Sequence, residues 1–98
     1  MDNRITVVAR FKAKEGADAK LRELLLTLIG PSRSDAGCIQ YDLHQGIDDP
    51  SYFIFYEIWE SKELLDKHSA TSHLQNARSM TKDLVAEPVE VILLAKIS

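Results

Sequence analysis

The sequence is poor in cysteine and glycine, and it has no long apolar run. Of its 98 residues, one is cysteine and four are glycine. A single thiol, Cys38, cannot close a disulfide within the chain, and the scattered glycines form neither a phosphate-binding loop nor a Gly-x-Gly-x-x-Gly dinucleotide motif. No segment reaches the roughly 18 to 20 apolar residues that a membrane helix needs. We therefore expect neither a disulfide scaffold, nor a nucleotide-dependent enzyme, nor a membrane-spanning protein.

Positive charge is also scarce. Lysine and arginine total 12 against 15 aspartates and glutamates, which gives a net charge of −3. Nucleic acids and anionic membranes are bound largely through basic surfaces, so no such partner is expected. The opening Met-Asp-Asn-Arg-Ile lacks the basic and then apolar layout of a signal peptide. Together with the lone cysteine, this start predicts a cytoplasmic protein.

What the sequence does contain is the composition of one globular domain. Hydrophobic residues make up 45% of the chain and charged residues 28%. No repeat, low-complexity tract or linker interrupts it, so residues 1–98 are expected to form a single domain.

The apolar periodicity predicts the element order β-α-β-β-α-β. Alternation of apolar residues predicts strands over residues 5–12, 38–45, 52–59 and 89–97. This order is typical of a ferredoxin-like α+β fold, with an antiparallel sheet and helices on one face.

Two helical regions connect these strands. Leucines at 21, 24, 25 and 28 predict a first helix that is capped by Asp18 and stopped by Gly30-Pro31. The second region is broken in two. Its first part is capped by Ser61, its second by Thr71 or Ser72, and the whole is expected to end at Glu87-Pro88.

The third and fourth strands are apolar on both faces. In the third strand, one face carries Phe53, Phe55 and Trp59, and the other carries Ile54, Tyr56 and Ile58. Helices cover only one face of such a sheet, so the other would leave a large apolar patch in water. We therefore predict a homodimer formed through the sheet face that the helices do not cover.

His68 is the first candidate for chemistry. It follows Leu64 and Leu65 at helical spacing, so its imidazole points toward the sheet, either as a core histidine or as a group presented to a pocket. Glu57 and Trp59 lie at the end of the strand that leads into this helix. Their side chains and that of His68 are therefore expected to line one cavity. With an ordinary pKa of about 6.5, His68 is suited to take a proton from a weakly acidic substrate.

Each candidate also has a structural interpretation. Glu57 among aromatic residues needs a partner, for which Arg10, Arg78 or a lysine is available. Trp59 is either packing or a substrate platform. His73 lies at a predicted helix start as a surface or capping residue, and His44 is expected to face solvent.

A metal site is not predicted. His68 and His73 are five residues apart across a helix break, and neither an H-E-x-x-H pattern nor a carboxylate cluster accompanies them.

The stretch FYEIWESKELLDKH at residues 55–68, followed by ATSHL at residues 70–74, resembles the antibiotic biosynthesis monooxygenase (ABM) domain family. That family's pattern is a Tyr-Glu-x-Trp strand end, a short helix ending in His, and then Ala-Thr-Pro-His-Phe. Here Ser72 replaces the usual proline and Leu74 the usual aromatic residue. The resemblance extends over the whole chain.

The resemblance implies a small dimeric α+β barrel with a pocket between the helices and the sheet of each subunit. Some members oxidise quinols or polyphenols with O₂ and without metal, flavin or haem. By this resemblance the catalytic residues are His68 and Glu57, and the residues that bind a small aromatic substrate are Tyr56, Trp59 and His73. His68 would deprotonate a hydroquinone or phenol stacked on Trp59, and the anion would then react with O₂.

Three other functions stay open. Haem-degrading relatives need an asparagine on the first strand, where Ala9 lies here, which argues against haem. Other relatives resemble isomerases or degrading enzymes for small carbonyl or sugar-derived metabolites, in which the same histidine moves a proton between carbons. The third is a dimeric binding protein without catalysis, since a fold does not fix a function.

Overall fold

A computed structural model of the protein describes residues 3–98. Met1 and Asp2, the first residues of the segment without a signal-peptide pattern, lie outside the described residues. The elements in chain order are β1 (Ile5–Lys12), α1 (Asp18–Leu26), α2 (Ile29–Arg33), β2 (Cys38–Gln45), β3 (Tyr52–Trp59), α3 (Lys62–Ser69), α4 (Ser72–Thr81) and β4 (Glu90–Leu94).

The four strands form one antiparallel sheet in the order β2-β3-β1-β4. β1 is therefore central, with Val7 opposite both Glu57 of β3 and Leu93 of β4. This is the ferredoxin-like arrangement that the element order predicts, and the prediction is confirmed. Within one chain the sheet stays open, because β2 and β4 are its two edges.

The core lies between one face of the sheet and the helices. Alternation along β1 and β3 turns Val7, Ala9, Phe53 and Phe55 inward, all of them at most 7% exposed. The helices cover this face with residues spaced three or four apart. These are chiefly Leu21, Leu25, Leu28, Leu65 and Ala77.

The first helical region differs from its prediction at both ends. Ala17, not Asp18, occupies the N-cap position, and Asp18 is the first helical residue. Gly30-Pro31 does not stop the helix. α1 has already ended at Leu26, and the pair lies inside the short helix α2. Pro31 is tolerated there because the first turn of a helix does not use its backbone N–H groups.

The C-terminal part of the chain is less regular than the sequence predicts. α4 ends at Thr81 rather than at Glu87-Pro88, and β4 covers Glu90–Leu94 instead of residues 89–97. Between them, Val85 makes an isolated bridge to Ala13, which extends the contact with the sheet beyond β1. All five residues of β4 are exposed, as expected for a short edge strand with no neighbour on one side.

The sheet face opposite the helices carries exposed apolar side chains. Tyr56, Ile92 and Leu94 on this face are 37%, 41% and 46% exposed. The sequence correctly predicts which residues of β3 face away from the helices. In residues 3–98, no helix combines the length and the apolar character needed to cross a membrane.

Candidate active site

A cavity of about 880 Å³ lies between the helix-covered face of the sheet and the helices. Most of its lining is apolar, including Val7, Leu25 and Phe55. Val91 and Leu93 of β4 also line it and are 58% and 46% exposed, so the cavity opens along that edge. Its size and apolar lining are typical of a site for a small organic molecule.

Two ionisable side chains reach this apolar cavity from buried positions. Glu57 of β3 is 5% exposed and His68 of α3 is 3% exposed, and both line the cavity. Glu57 lies there because its position in the β3 alternation faces the helices. His68 lies there because it follows Leu64 and Leu65 by one helical turn.

Glu57 is paired with an indole and not with a cation. Its Oε1 accepts a hydrogen bond of 2.9 Å from Nε1 of Trp59. Arg10, offered by the sequence as a partner, lies near Glu87 and Glu90 instead. Burial raises the pKa of Glu57 from 4.5 to about 7, only partly opposed by the indole N–H. Near neutral pH this carboxyl group is therefore both a proton donor and an acceptor.

His68 is oriented by a carboxylate from another part of the chain. Its Nδ1 lies 2.8 Å from Oδ2 of Asp35, in the loop between α2 and β2. Where the Asp35 oxygen accepts this hydrogen bond, Nδ1 carries the proton and donates it, so Nε2 is left with a free lone pair. Desolvation lowers the pKa of His68 more than Asp35 raises it. The imidazole is consequently neutral near pH 7 and able to accept a proton.

The loop that carries Asp35 is held against α3 by a glycine. Gly37 has φ of +85°, and an added Cβ would lie 2.5 Å from Cδ1 of Leu64. Its carbonyl also accepts a hydrogen bond from the Glu60 backbone. A residue with a side chain would force the loop away from the helix, so Gly37 allows Asp35 to reach His68.

The break between α3 and α4 brings a second histidine to the same carboxylate. Nε2 of His73 lies 2.9 Å from Oδ2 of Asp35. On one continuous helix, His68 and His73 would point about 140° apart, at roughly 100° per residue. Thr71 fixes the break, because its hydroxyl donates to the His68 carbonyl and accepts from the Leu74 N–H. The five-residue separation of His68 and His73 therefore does not argue against a metal site, since the two residues lie on different helices.

The remaining predicted site residues do not join the cavity. Trp59 is fully buried, and its ring packs against the His68 ring with centroids 4.4 Å apart. It supports the histidine and offers no face to a substrate. Tyr56 lies on the opposite face of the sheet, among residues such as Gln40 and Ile54, because β3 alternates. Neither the stacking role expected of Trp59 nor the substrate contact expected of Tyr56 fits these positions. His44 is exposed, as predicted.

Two residues near the histidine were missed by the sequence analysis. Asp35 is one of 15 acidic residues and stands in a loop, where no periodicity marks it. Tyr41 is buried in β2, packs edge-on to His68 at 5.6 Å between centroids, and lines the cavity. Its alternation with Leu43 was visible in the sequence, but its contact with α3 depends on the tertiary fold.

Comparison with known proteins identifies the family. The family model described as antibiotic biosynthesis monooxygenase matches residues 4–80, a range that begins just before β1 and ends within α4. The chain belongs to this family. The resemblance seen in residues 55–74 is thereby confirmed.

Individual relatives match along nearly the whole chain. The Mycobacterium tuberculosis protein "Putative monooxygenase Rv0793" is 36% identical over 95 residues, which cover 97% of this chain and 93% of that protein. Its solved structure has a TM-score of 0.92 and 34% identity, with 97% and 96% of the two chains covered. The crystal structure of PA3566 from Pseudomonas aeruginosa has a TM-score of 0.93 and 32% identity, with 100% and 98% covered.

Proposed function

We propose that this protein is a monooxygenase that oxidises a small hydroquinone or phenol with O₂. The observation that carries the proposal is His68, whose Nδ1 is held by Asp35 and whose ring lines a largely apolar cavity. A neutral imidazole with Nε2 free is the arrangement that a general base for a phenolic hydroxyl requires. The names of the monooxygenase relatives support the same reaction class.

The chemistry follows from the deprotonation. Loss of the hydroxyl proton to Nε2 of His68 gives a phenolate, which is electron-rich enough to transfer one electron to O₂. Recombination of the two radicals forms a carbon–oxygen bond, and breakage of the O–O bond leaves one oxygen atom on the ring while the other leaves as water. A hydroquinone plus O₂ thus becomes a hydroxyquinone plus water, with every electron supplied by the substrate.

The protein contributes position, proton transfer and a dry environment. Apolar walls formed by residues such as Phe55 and Leu65 exclude water from the phenolate and strengthen its interaction with the imidazolium formed on His68. Glu57, when protonated, is placed to donate a hydrogen bond to a substrate oxygen. Arg78 also lines the cavity and adds a positive charge that favours an anionic substrate.

Oxygen uptake tests this function directly. We expect the wild-type protein to consume O₂ with at least one member of a hydroquinone and phenol panel, above the autoxidation rate measured with heat-inactivated protein. With ¹⁸O₂, one labelled atom is expected in the product. If no substrate raises uptake above autoxidation, the monooxygenase proposal is wrong for this panel.

Isomerisation of a small carbonyl or sugar-derived compound is the second candidate. It is favoured by the pairing of a neutral imidazole, His68, with a carboxyl group of raised pKa, Glu57, in one cavity. Such a pair can remove a proton at one carbon and return it at another. Turnover with deuterium exchange from solvent and without O₂ uptake would favour this reaction. A non-catalytic binding protein would show neither.

We also propose that the protein is a homodimer through the outer face of the sheet. Tyr56, Ile92 and Leu94 leave an apolar surface there that the helices do not cover. Sedimentation equilibrium is expected to give twice the chain mass of 11.0 kDa. Ile92→Lys should weaken association about 100-fold or more, because it buries an unpaired charge. Ser79→Lys on the exposed side of α4 is the matched control. A monomeric wild type, or an unaffected Ile92→Lys, would contradict this interface.

A further inference from the structure

Three donor atoms from separate segments meet at Nδ1 of His68, where Asp35 and His73 do not line the cavity. They are Oδ2 of Asp35, Nδ1 of His68 and Nε2 of His73, all within 4.8 Å of one another. The carboxylate oxygen lies 2.8 Å from one imidazole nitrogen and 2.9 Å from the other. Among residues 3–98, these three side chains form a group whose ligand atoms are close enough together to share one metal ion.

The donor types match those of a transition-metal site. Imidazole and carboxylate ligands bind divalent zinc at about 2.0 to 2.2 Å. Two donors at that distance in the tetrahedral geometry of zinc are about 3.4 Å apart. The separations of 2.8 and 2.9 Å between Asp35 and the two imidazoles are hydrogen-bond distances, so the side chains need to move apart by about half an ångström to hold an ion. The side chains of Asp35 and His73 are 18% and 26% exposed, so an ion has access from solvent. We propose that Asp35, His68 and His73 form a binding site for a late first-row transition-metal ion such as Zn²⁺.

Without an ion, the same three atoms are joined by hydrogen bonds. Both imidazoles then donate N–H to the single oxygen of Asp35. For an ion to bind, the proton on each coordinating nitrogen moves to the other nitrogen of its ring, through solvent. Each histidine thus changes tautomer and neither loses a net proton. Arg78, which is close enough to lower the pKa of His68, opposes a cation here, while the charge of Asp35 favours it.

The tautomer change links this site to the cavity. When Nδ1 of His68 coordinates an ion, its remaining proton lies on Nε2. The nitrogen that accepts the substrate proton is then already protonated. A metal ion bound to Nδ1 therefore inhibits turnover by keeping Nε2 protonated, and it does not compete with the substrate for the cavity. This consequence rests on the proposed function, whereas metal binding itself does not.

The binding experiment needs no turnover. Isothermal titration of metal-free, folded protein with Zn²⁺ is expected to show one ion per chain, and Mg²⁺ should give no binding because it prefers oxygen ligands. Asp35→Asn and His73→Gln should each weaken Zn²⁺ binding about 100-fold or more. His44→Gln removes an exposed histidine from the opposite sheet face and should leave the affinity unchanged. Thermal melts establish that each variant is folded.

The ring nitrogens of ¹⁵N-labelled protein give a second readout. Zn²⁺ should move the His68 signals to those of a metal-bound Nδ1 and a protonated Nε2. Zn²⁺ binding that is absent, or equally strong in the Asp35→Asn, His73→Gln and wild-type proteins, would overturn the site. Binding at these residues without oxygen uptake on any substrate would leave the metal site standing and reject the proposed function. If the protein turns over, Zn²⁺ should inhibit it reversibly, and EDTA should restore the rate.

Discussion

A His68→Asn variant is expected to lose oxygen-uptake activity by roughly 10²- to 10⁴-fold in kcat, the usual contribution of a general base. The asparagine amide can replace Nδ1 as the hydrogen-bond donor to Asp35, but it has no group at the position of Nε2. The loop that carries Asp35 should therefore stay in place while proton acceptance is lost. The measurement is the initial rate of O₂ consumption, with kcat and KM separated.

The separation of kcat from KM distinguishes a base from a packing residue. A rise in KM with kcat unchanged would mean that His68 only shapes the cavity. His44→Asn is the matched control, since it removes a solvent-facing histidine on the other side of the sheet. A folded His68→Asn protein with kcat within about threefold of wild type would contradict the assignment of His68 as the base.

Glu57→Gln is expected to make the protein more stable at pH 8, by up to about 3 kcal/mol. Burial raises the pKa of Glu57 from 4.5 to about 7, so the folded state holds its proton over a pH range in which the unfolded chain has lost it. The free energy of unfolding of the wild type therefore falls as pH rises from about 4.5 to about 7, and this contribution is constant above that range. Glutamine keeps an oxygen for the Trp59 N–H and carries no charge at any pH.

Denaturant unfolding at pH 5 and pH 8, at one fixed chain concentration, tests this expectation. His68 acts in the opposite direction, because its lowered pKa costs stability as the solution becomes acidic. The difference in free energy of unfolding between Glu57→Gln and wild type therefore reports on the Glu57 carboxyl group alone. Glu60→Gln, at an exposed neighbouring position, is the control. A difference between the two proteins that is the same at both pH values would show that Glu57 is ionised throughout.

The sheet was predictable because it depends on local patterns. Alternating apolar residues predict β1, β2 and β3 at their observed bounds. Ser61 is the helix cap that the sequence predicts, and Thr71 is the one of two predicted alternatives, Thr71 or Ser72, that caps α4. The errors fall where local rules conflict. Gly30-Pro31 has the composition of a helix stop, but α1 ends earlier, at Leu26, and the pair lies inside α2.

The candidate site was only partly predictable, for a similar reason. His68 and Glu57 were found because each interrupts an apolar periodicity, which marks a polar group in a buried position. Asp35 interrupts nothing, and its contact with His68 spans 33 residues of sequence. Trp59 was assigned to substrate because the sequence does not show that the histidine ring covers it. Contacts between distant loops and helices require the fold itself.

The central position of β1 has a consequence for synthesis. Thr6 of β1 pairs with Leu94 of β4, so one edge of β1 pairs only with the strand that is translated after every other element. While β4 is still inside the ribosome, β1 has one unpaired edge, and the cavity lacks the wall formed by Val91 and Leu93. The nascent chain therefore exposes apolar surface along this edge, where chaperones or another nascent copy can bind. The cavity is therefore completed only after β4 has left the ribosome.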